Sequence, residues 1–125
     1  MKNIKKNIPK EIGPYSYIYE SKGIFMISGQ IPISTKNKKI PKNISLQTKI
    51  VLKNIKNIIK YNNLKIKNIA KITIFITNIK NIKIINKIYK KFFKKYTKKF
   101  PARTCVEVSK LPKNSDIEID AIAIK

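Results

Sequence analysis

The sequence predicts an α+β fold: a two-layer sandwich with two helices on one face of a mixed sheet, in the order β-β-α-β-α-β-β. Three observations support this prediction. The length of 125 residues suits a single domain spanning residues 1–125. Two segments space their apolar residues at three and four, while five others are rich in β-branched and aromatic residues. The sequence contains no internal repeat and no linker.

The first elements form a hairpin. Residues 1–11 are basic and predict an N-terminal arm or a loosely held first strand. Tyr15 to Glu20 and Gly23 to Ser28 are rich in Ile, Tyr and Phe, and the break between them is short. Two antiparallel strands joined by a tight turn are therefore expected.

Both helices have one apolar face. The first is capped by Asn43 or Ser45 and runs to about Tyr61, with lysines outside the stripe Val51, Ile55, Ile58 and Ile59. The second runs from about Ile82 to Lys98 and ends before Pro101. Its apolar stripe consists of Ile85, Ile88, Tyr89, Phe92, Phe93 and Tyr96.

Three further strands complete the sheet. Ile69 to Thr77 is a nearly uninterrupted β-branched run, which is typical of a central strand covered on both faces. Arg103 to Ser109 and Ile117 to Ile124 flank a turn at 111–114. The chain is too short to cover the sheet's second face, which is therefore either polar or covered by another subunit. The apolar strand residues favour another subunit.

The formal charge of +23 would ordinarily indicate a nucleic-acid or membrane partner. However, 28 Lys accompany a single Arg, and 28 Ile and 13 Asn are equally over-represented. Such a joint bias indicates base composition acting on codons rather than selection for charge. Lysines and aromatics alternate from Lys90 to Tyr96 as in a single-strand binding surface, but their helical spacing assigns the aromatics to the core. We expect at most nonspecific nucleic-acid binding.

Absent residue types exclude several kinds of site. Without His there is no Ser-His or Cys-His pair and no imidazole ligand. The single Cys105 excludes an internal disulfide and a multi-Cys zinc site, in keeping with a cytoplasmic protein. No apolar run approaches the roughly 20 residues of a membrane span, and none follows the basic segment Met1 to Lys10 as in a signal peptide.

The chemistry is concentrated near the C-terminus. Arg103, Cys105 and Glu107 share one strand face and form either a charged edge or an anion site in which a guanidinium binds a carboxylate. Cys105 is disfavoured as a nucleophile because no His can activate it. Successive residues of Asp116, Glu118 and Asp120 lie roughly 6.5 Å apart along one strand face, too far to chelate a metal without other ligands.

Several motifs resemble the RidA (YjgF) family of reactive-intermediate deaminases. They are Ile12-Gly13-Pro14-Tyr15-Ser16, Ser28-Gly29-Gln30-Ile31-Pro32, Pro101-Ala102-Arg103-Thr104-Cys105-Val106-Glu107-Val108, Leu111-Pro112 and Ile117-Glu118-Ile119. The resemblance implies a chorismate-mutase-like fold, assembled as a homotrimer around a central barrel with clefts between subunits. It implies an enzyme of the 2-iminobutanoate/2-iminopropanoate deaminase type. Such an enzyme hydrolyses enamines and imines such as 2-aminoacrylate to 2-oxo acids and ammonia, without cofactor or metal.

The resemblance also implies a role for each matching residue. Arg103 would pair with the substrate carboxylate, and Glu118 would activate water and return a proton to the departing nitrogen. Tyr15 would close the cleft, Ser28 and Asn86 would line it, and the backbone of Cys105 would help to place substrate or water. By residue type alone, Tyr15 equally suits strand packing, Ser28 a turn and Asn86 a solvated helix side chain.

Two alternatives remain open: an RNA-binding or translation-inhibiting protein, as reported for members of this family, and a noncatalytic trimer acting as a scaffold. The chain departs from the family at Tyr17, where Gln is common, and at Tyr61-Asn62-Asn63, where Ala and Gly are common. Both departures bear on cleft shape and substrate range. Because each subunit carries +23, we also expect low ionic strength to weaken a trimer.

Overall fold

A five-stranded mixed sheet carries two helices on one face in the computed structural model, which describes residues 7–125. The sheet order is β1-β2-β5-β3-β4; β3 and β4 run parallel and the other neighbours antiparallel. The predicted element order is confirmed. The elements are β1 (Ile18–Ser21), β2 (Ile24–Gln30), α1 (Ile44–Tyr61), β3 (Ile69–Ile76), α2 (Ile82–Tyr96), β4 (Ala102–Glu107) and β5 (Ile117–Ile124).

The hairpin turn consists of Lys22 and Gly23. Both have positive φ, 50° and 80°, as a two-residue type I′ turn requires. β1 begins at Ile18, three residues later than predicted. The ladder ends there because β2 bulges between Ile27 and Gln30, so Tyr15 lies before the strand rather than in it.

Helix α1 begins where the sequence predicts. The Asn43 side chain caps it by accepting a hydrogen bond from the Leu46 N–H at 3.1 Å. The apolar face predicted for this helix is fully buried. Helix α2 ends at Tyr96, two residues short of the prediction, because Thr97 has an extended backbone.

The core lies between the helices and one face of the sheet. In β3, Ile72, Ile74 and Ile76 face the helices and are fully buried. Thr73 and Phe75 point to the other face and are only half-buried. The second face of β3 is therefore left uncovered within one chain, as the sequence predicts, because both helices pack on the same side.

The second face of the sheet presents a set of exposed apolar side chains. These side chains are 39–64% exposed, although monomeric soluble proteins rarely expose large contiguous apolar patches. We call this the outer sheet face; its exposed apolar residues are Tyr19, Ile24, Met26, Val106 and Ile124.

The end of β4 and the turn after it differ slightly from the prediction. β4 ends at Glu107, before the predicted Ser109, and the turn after it contains a short 3-10 helix, Pro112–Asn114.

Residues 1–6 of the expected N-terminal arm lie outside the described residues. Next to them, Ile8 is buried in the core and the Asn7 carbonyl accepts a hydrogen bond from Asn57 at 3.0 Å. None of the helices in residues 7–125 is both long and apolar enough to span a bilayer.

Candidate active site

Arg103 lies at the start of β4, beside helix α2. Its register partner in β3 is the helix-facing Ile72, so its side chain points towards the helices. Nη1 donates a hydrogen bond to Oδ1 of Asn86 at 2.8 Å. Arg103 nevertheless stays exposed, which leaves other guanidinium N–H groups free to meet an anion.

The guanidinium also lies over the ring of Tyr89, with Cζ 5.0 Å from the ring centroid. Tyr89 is packed in turn against Phe93 at 4.6 Å and Phe100 at 6.5 Å between ring centroids. Its hydroxyl is buried without a hydrogen-bond partner among the described residues. Burial raises the pKa of Tyr89 to about 12, against the opposing charge of Arg103. Tyr89 therefore remains a neutral aromatic support beneath the guanidinium.

Sequence reasoning assigned Tyr89 to the core and missed this contact. The available signal was the spacing of Tyr89 three residues after Asn86, which places both on one side of α2. We call Arg103, Asn86 and Tyr89 the Arg103 cluster.

Cys105 lies two residues further along β4 and faces the same side. It is half-buried and packs against the core. Burial raises the pKa of its thiol, although the charge of Arg103 acts in the opposite direction. A raised thiol pKa disfavours the thiolate, which is the form of cysteine that acts as a nucleophile.

Glu107, the third residue of this row, is already engaged. Its Oε1 accepts a hydrogen bond from the Ile79 N–H at 2.8 Å, at the start of the short 3-10 helix Ile79–Asn81. Glu107 is thereby held in a structural contact at the start of that helix.

Glu118 lies in β5, on the outer sheet face. Its register partner in β3 is Phe75, which also faces away from the helices. Burial raises the pKa of Glu118, and the nearby negative charge of Asp120 raises it further. A carboxyl group in this environment takes up and releases a proton closer to neutrality than an ordinary glutamate does.

Gly29 makes room for Glu118. A Cβ atom on Gly29 would lie 2.8 Å from Cδ and 3.1 Å from Cγ of Glu118, closer than atoms approach without displacement. The glycine belongs to the bulge of β2, which lies beside β5. Sequence reasoning quoted Gly29 within a motif but did not assign it to the site.

Tyr15 lies beside Glu118, and Ser28 precedes Gly29 in the bulge of β2. A small cavity of about 50 Å³ is lined by Tyr15, Tyr17, Gly29 and Glu118, among others. The Tyr15 hydroxyl accepts a hydrogen bond from the Ile12 N–H at 3.3 Å, while the Ser28 hydroxyl donates one to the Ser16 carbonyl at 2.6 Å. Ser28 thus fastens the segment that carries Tyr15 to the bulge. We call Glu118, Tyr15, Ser28 and Gly29 the Glu118 cluster.

The expected site residues therefore form two groups rather than one. Asn86 and Cys105 lie with Arg103 on the helix side of the sheet. Tyr15 lines the small cavity beside Glu118, and Ser28 lies in the adjoining bulge of β2. Within one chain the sheet separates Arg103 from Glu118. A single cleft containing both would need residues from two copies of the chain.

Asp116, just before β5, and Glu118 and Asp120 within it do not form a metal site within residues 7–125. Asp116 accepts hydrogen bonds from the Thr77 hydroxyl at 2.8 Å and the Gln47 amide at 3.4 Å. Within residues 7–125, no group of three His, Cys, Asp or Glu side chains is close enough to hold a metal ion.

Known proteins are similar to this chain over nearly its whole length. The family model described as Endoribonuclease L-PSP matches residues 5–125. A RutC family protein of Buchnera aphidicola subsp. Schizaphis graminum is 55% identical over 120 residues, covering 96% of this chain and 94% of that protein. The 2-iminobutanoate/2-iminopropanoate deaminase of Escherichia coli K12 is 38% identical with the same coverage.

The fold agrees with solved structures of such proteins. The crystal structure of E. coli TdcF with bound serine superposes with a TM-score of 0.92 at 36% identity, covering 96% of this chain and 94% of that one. Sequence and architecture thus agree, and the chain belongs to the RidA (YjgF) family, whose model is described as Endoribonuclease L-PSP.

Proposed function

We propose that this protein hydrolyses the C=N bond of small imines, including those formed from 2-aminoacrylate-type enamines, to 2-oxo acids and ammonia in the cytoplasm. The reaction adds one water molecule to the imine and releases the nitrogen as ammonia. The observation that carries the proposal is the placement of the chain's single arginine, Arg103, which is oriented by Asn86 and Tyr89 yet exposed.

Arg103 would bind the carboxylate of the substrate. A guanidinium offers paired N–H donors to a carboxylate, which a lysine cannot match, and an orientation held from two sides reduces the entropy lost on binding. The proposal takes further support from the deaminase relative and from the serine bound by TdcF, since serine also carries a carboxylate.

Glu118 would provide proton transfer. An iminium carbon is already electrophilic, so the protein has mainly to position one water molecule and remove its proton. The carboxylate of Glu118 would take one proton from water as the oxygen bonds to carbon and would then give that proton to the nitrogen. The C–N bond then breaks as the C=O bond forms, ammonia departs, and the remaining hydroxyl proton passes to the carboxylate of Glu118. The raised pKa of Glu118 suits a group that both accepts and returns a proton.

We further propose that the site forms between subunits of a homotrimer. The support is geometric, because the Arg103 cluster and the Glu118 cluster lie on opposite faces of the sheet. The exposed apolar residues of the outer sheet face also favour packing against another copy. Packing there would bring a neighbouring chain next to Glu118.

The test is release of 2-oxo acid from freshly generated 2-aminoacrylate. We expect wild type to accelerate release, Arg103→Ala to lose at least tenfold in kcat/KM, and Arg103→Lys to recover only part of that loss. Lys110→Ala is the matched control, since it removes an exposed cation outside both clusters. Equal rates for wild type and Arg103→Ala would overturn the proposal.

RNA binding is the second candidate, favoured by the description of the family model as an endoribonuclease. It predicts binding that weakens steeply with salt and survives Arg103→Ala. Filter binding with a single-stranded RNA over a salt series distinguishes it from the deaminase, whose activity needs Arg103.

A further inference from the structure

A groove between α1 and α2 lies outside both clusters. It encloses about 280 Å³, and its floor is largely apolar. Sequence reasoning placed the whole aromatic stripe of α2 in the core, yet only part of the stripe is buried there. The half-buried remainder contributes to the floor, which consists of Leu52, Ile88, Phe92 and Tyr96. We call this the α1–α2 groove.

The rim of the groove carries only positive charge. Neither helix contains an acidic residue, so no carboxylate of the helices neutralises the rim. Like charges collected at a concave surface repel one another, and a bound anion relieves that repulsion. The rim consists of Lys49, Lys53, Lys56, Lys91 and Lys95.

Two of the rim lysines, Lys56 and Lys95, contact Tyr96 on the floor of the groove. Lys56 Nζ lies 3.4 Å from the Tyr96 hydroxyl, and the Nζ atoms of Lys56 and Lys95 lie 5.7 and 5.5 Å from the centre of its ring. Burial opposes the change, but the hydrogen bond and charge of Lys56 and the charge of Lys95 lower the pKa of Tyr96 below its ordinary value.

The shape of the floor favours a flat or chain-like apolar group. The ring centroids of Phe92 and Tyr96 lie 5.4 Å apart with an angle of 63° between the rings, and both side chains are half-buried. The volume falls near the lower end of the range of small-molecule sites. A small molecule therefore fits the groove better than a folded partner does.

We propose that the α1–α2 groove binds a small amphiphilic anion, namely an aryl or acyl group carrying one carboxylate, sulfonate or phosphate. The apolar part lies on Phe92 and Ile88, and the acidic group meets the lysine rim. The helices cover the sheet face opposite the outer sheet face, so assembly through that outer face leaves the groove open to solvent.

The experiment uses the full chain and two related fluorescent probes. The anionic probe is 8-anilinonaphthalene-1-sulfonate, and the neutral control is N-phenyl-1-naphthylamine, which lacks the sulfonate. The groove variant is Lys53→Glu/Lys91→Glu. Its matched control is Lys65→Glu/Lys67→Glu, which makes the same change of charge at exposed lysines outside the groove.

We expect saturable binding of the anionic probe at one site per chain, weakened roughly tenfold or more by the groove variant and less than twofold by the matched control. The neutral probe should bind wild type at least tenfold more weakly. The groove variant should hydrolyse imines like wild type, because it changes neither cluster. Equal loss in both variants, no loss in the groove variant, or equal binding of the two probes would overturn the proposal.

Discussion

The guanidinium of Arg103 lies over the ring of Tyr89. The contribution of Tyr89 to substrate binding can therefore be tested by removing the whole ring or only its hydroxyl. A cation over an aromatic ring contributes about 0.5–2 kcal/mol. We therefore expect Tyr89→Leu to raise KM for the imine roughly 3- to 30-fold with a smaller change in kcat, as measured by steady-state 2-oxo acid release.

Two variants separate this effect from simple destabilisation. Tyr89→Phe should keep the wild-type KM, because the lost hydroxyl has no hydrogen-bond partner within residues 7–125. Phe93→Leu should lower the unfolding midpoint much as Tyr89→Leu does, yet leave the ring beneath Arg103. A KM for Tyr89→Phe as high as that for Tyr89→Leu would contradict the supporting role of the ring.

Asp120 adjusts the proton affinity of Glu118. Its charge adds to burial in raising the pKa of Glu118. Burial also raises the pKa of Asp120 itself, while a hydrogen bond from Thr73 and the charge of Lys71, both on the neighbouring strand β3, act in the opposite direction. In the proposed mechanism, Glu118 must be ionised to accept a proton from water, so activity should rise with pH through its pKa. Asp120→Asn removes one raising cause and should move the acidic limb of the kcat/KM profile to lower pH.

The plateau rate of Asp120→Asn should stay within about threefold of wild type, since the substitution leaves the shape of the site nearly unchanged. Thr73→Val is a useful comparison, because it removes a hydroxyl beside Asp120 and keeps the charge. An acidic limb that stays in place or moves to higher pH in Asp120→Asn would contradict the coupling.

At the scale of elements, the bulge of β2 positions Glu118. The bulge brings Gly29 so close to Glu118 that an added methyl group must displace the carboxyl group. A displacement of about 1 Å can cost up to roughly a hundredfold in rate. We expect Gly29→Ala to lower kcat/KM by one to two powers of ten while the folded protein is retained.

Circular dichroism and thermal unfolding report on folding in that experiment, and the deaminase assay reports on the site. Ser21→Ala, at the exposed end of β1 outside both clusters, serves as the control for a small substitution in the hairpin. Full activity in Gly29→Ala would show that Glu118 does not depend on the bulge.

At the scale of the whole molecule, the two-sided placement of the clusters predicts complementation between inactive chains. Arg103→Ala and Glu118→Gln should each be inactive alone. Suppose that each site takes the Arg103 cluster from one subunit and the Glu118 cluster from its neighbour. In random mixed trimers, each of these two clusters is intact in half of the cases, so about one quarter of the sites contain both intact clusters. Co-expression of differently tagged chains and assay of the isolated mixture tests this. No recovery would indicate a site within one chain.

The proposed trimer should also respond to salt. Each chain carries +23, and its helices have no acidic residues, so low ionic strength leaves the repulsion between subunits unscreened. We expect sedimentation velocity to show weaker trimers at about 10 mM salt than at about 150 mM, where the Debye length is shorter. A sedimentation coefficient independent of salt and protein concentration would contradict this expectation.

Local sequence patterns were sufficient to predict the type and order of the helices and strands of this fold. Apolar spacing alone identifies the buried face of α1, and β5 has the predicted bounds because its strict alternation admits one register. The later start of β1 and the early end of α2 depend on a bulge and on one extended residue, which local propensity does not reveal. The division of the α2 aromatics between core and groove likewise depends on the position of α1.

The sequence by itself determined the order of the elements, the single guanidinium suited to a carboxylate and the motifs that indicate the family. These follow from residue type and spacing along the chain. Only the tertiary structure decided that Arg103 and Glu118 lie on opposite faces of the sheet, that Tyr89 supports Arg103 and that Gly29 makes room for Glu118. The physical reason is that strand register and helix packing bring together residues far apart in sequence, and neither is encoded by a residue's immediate neighbours.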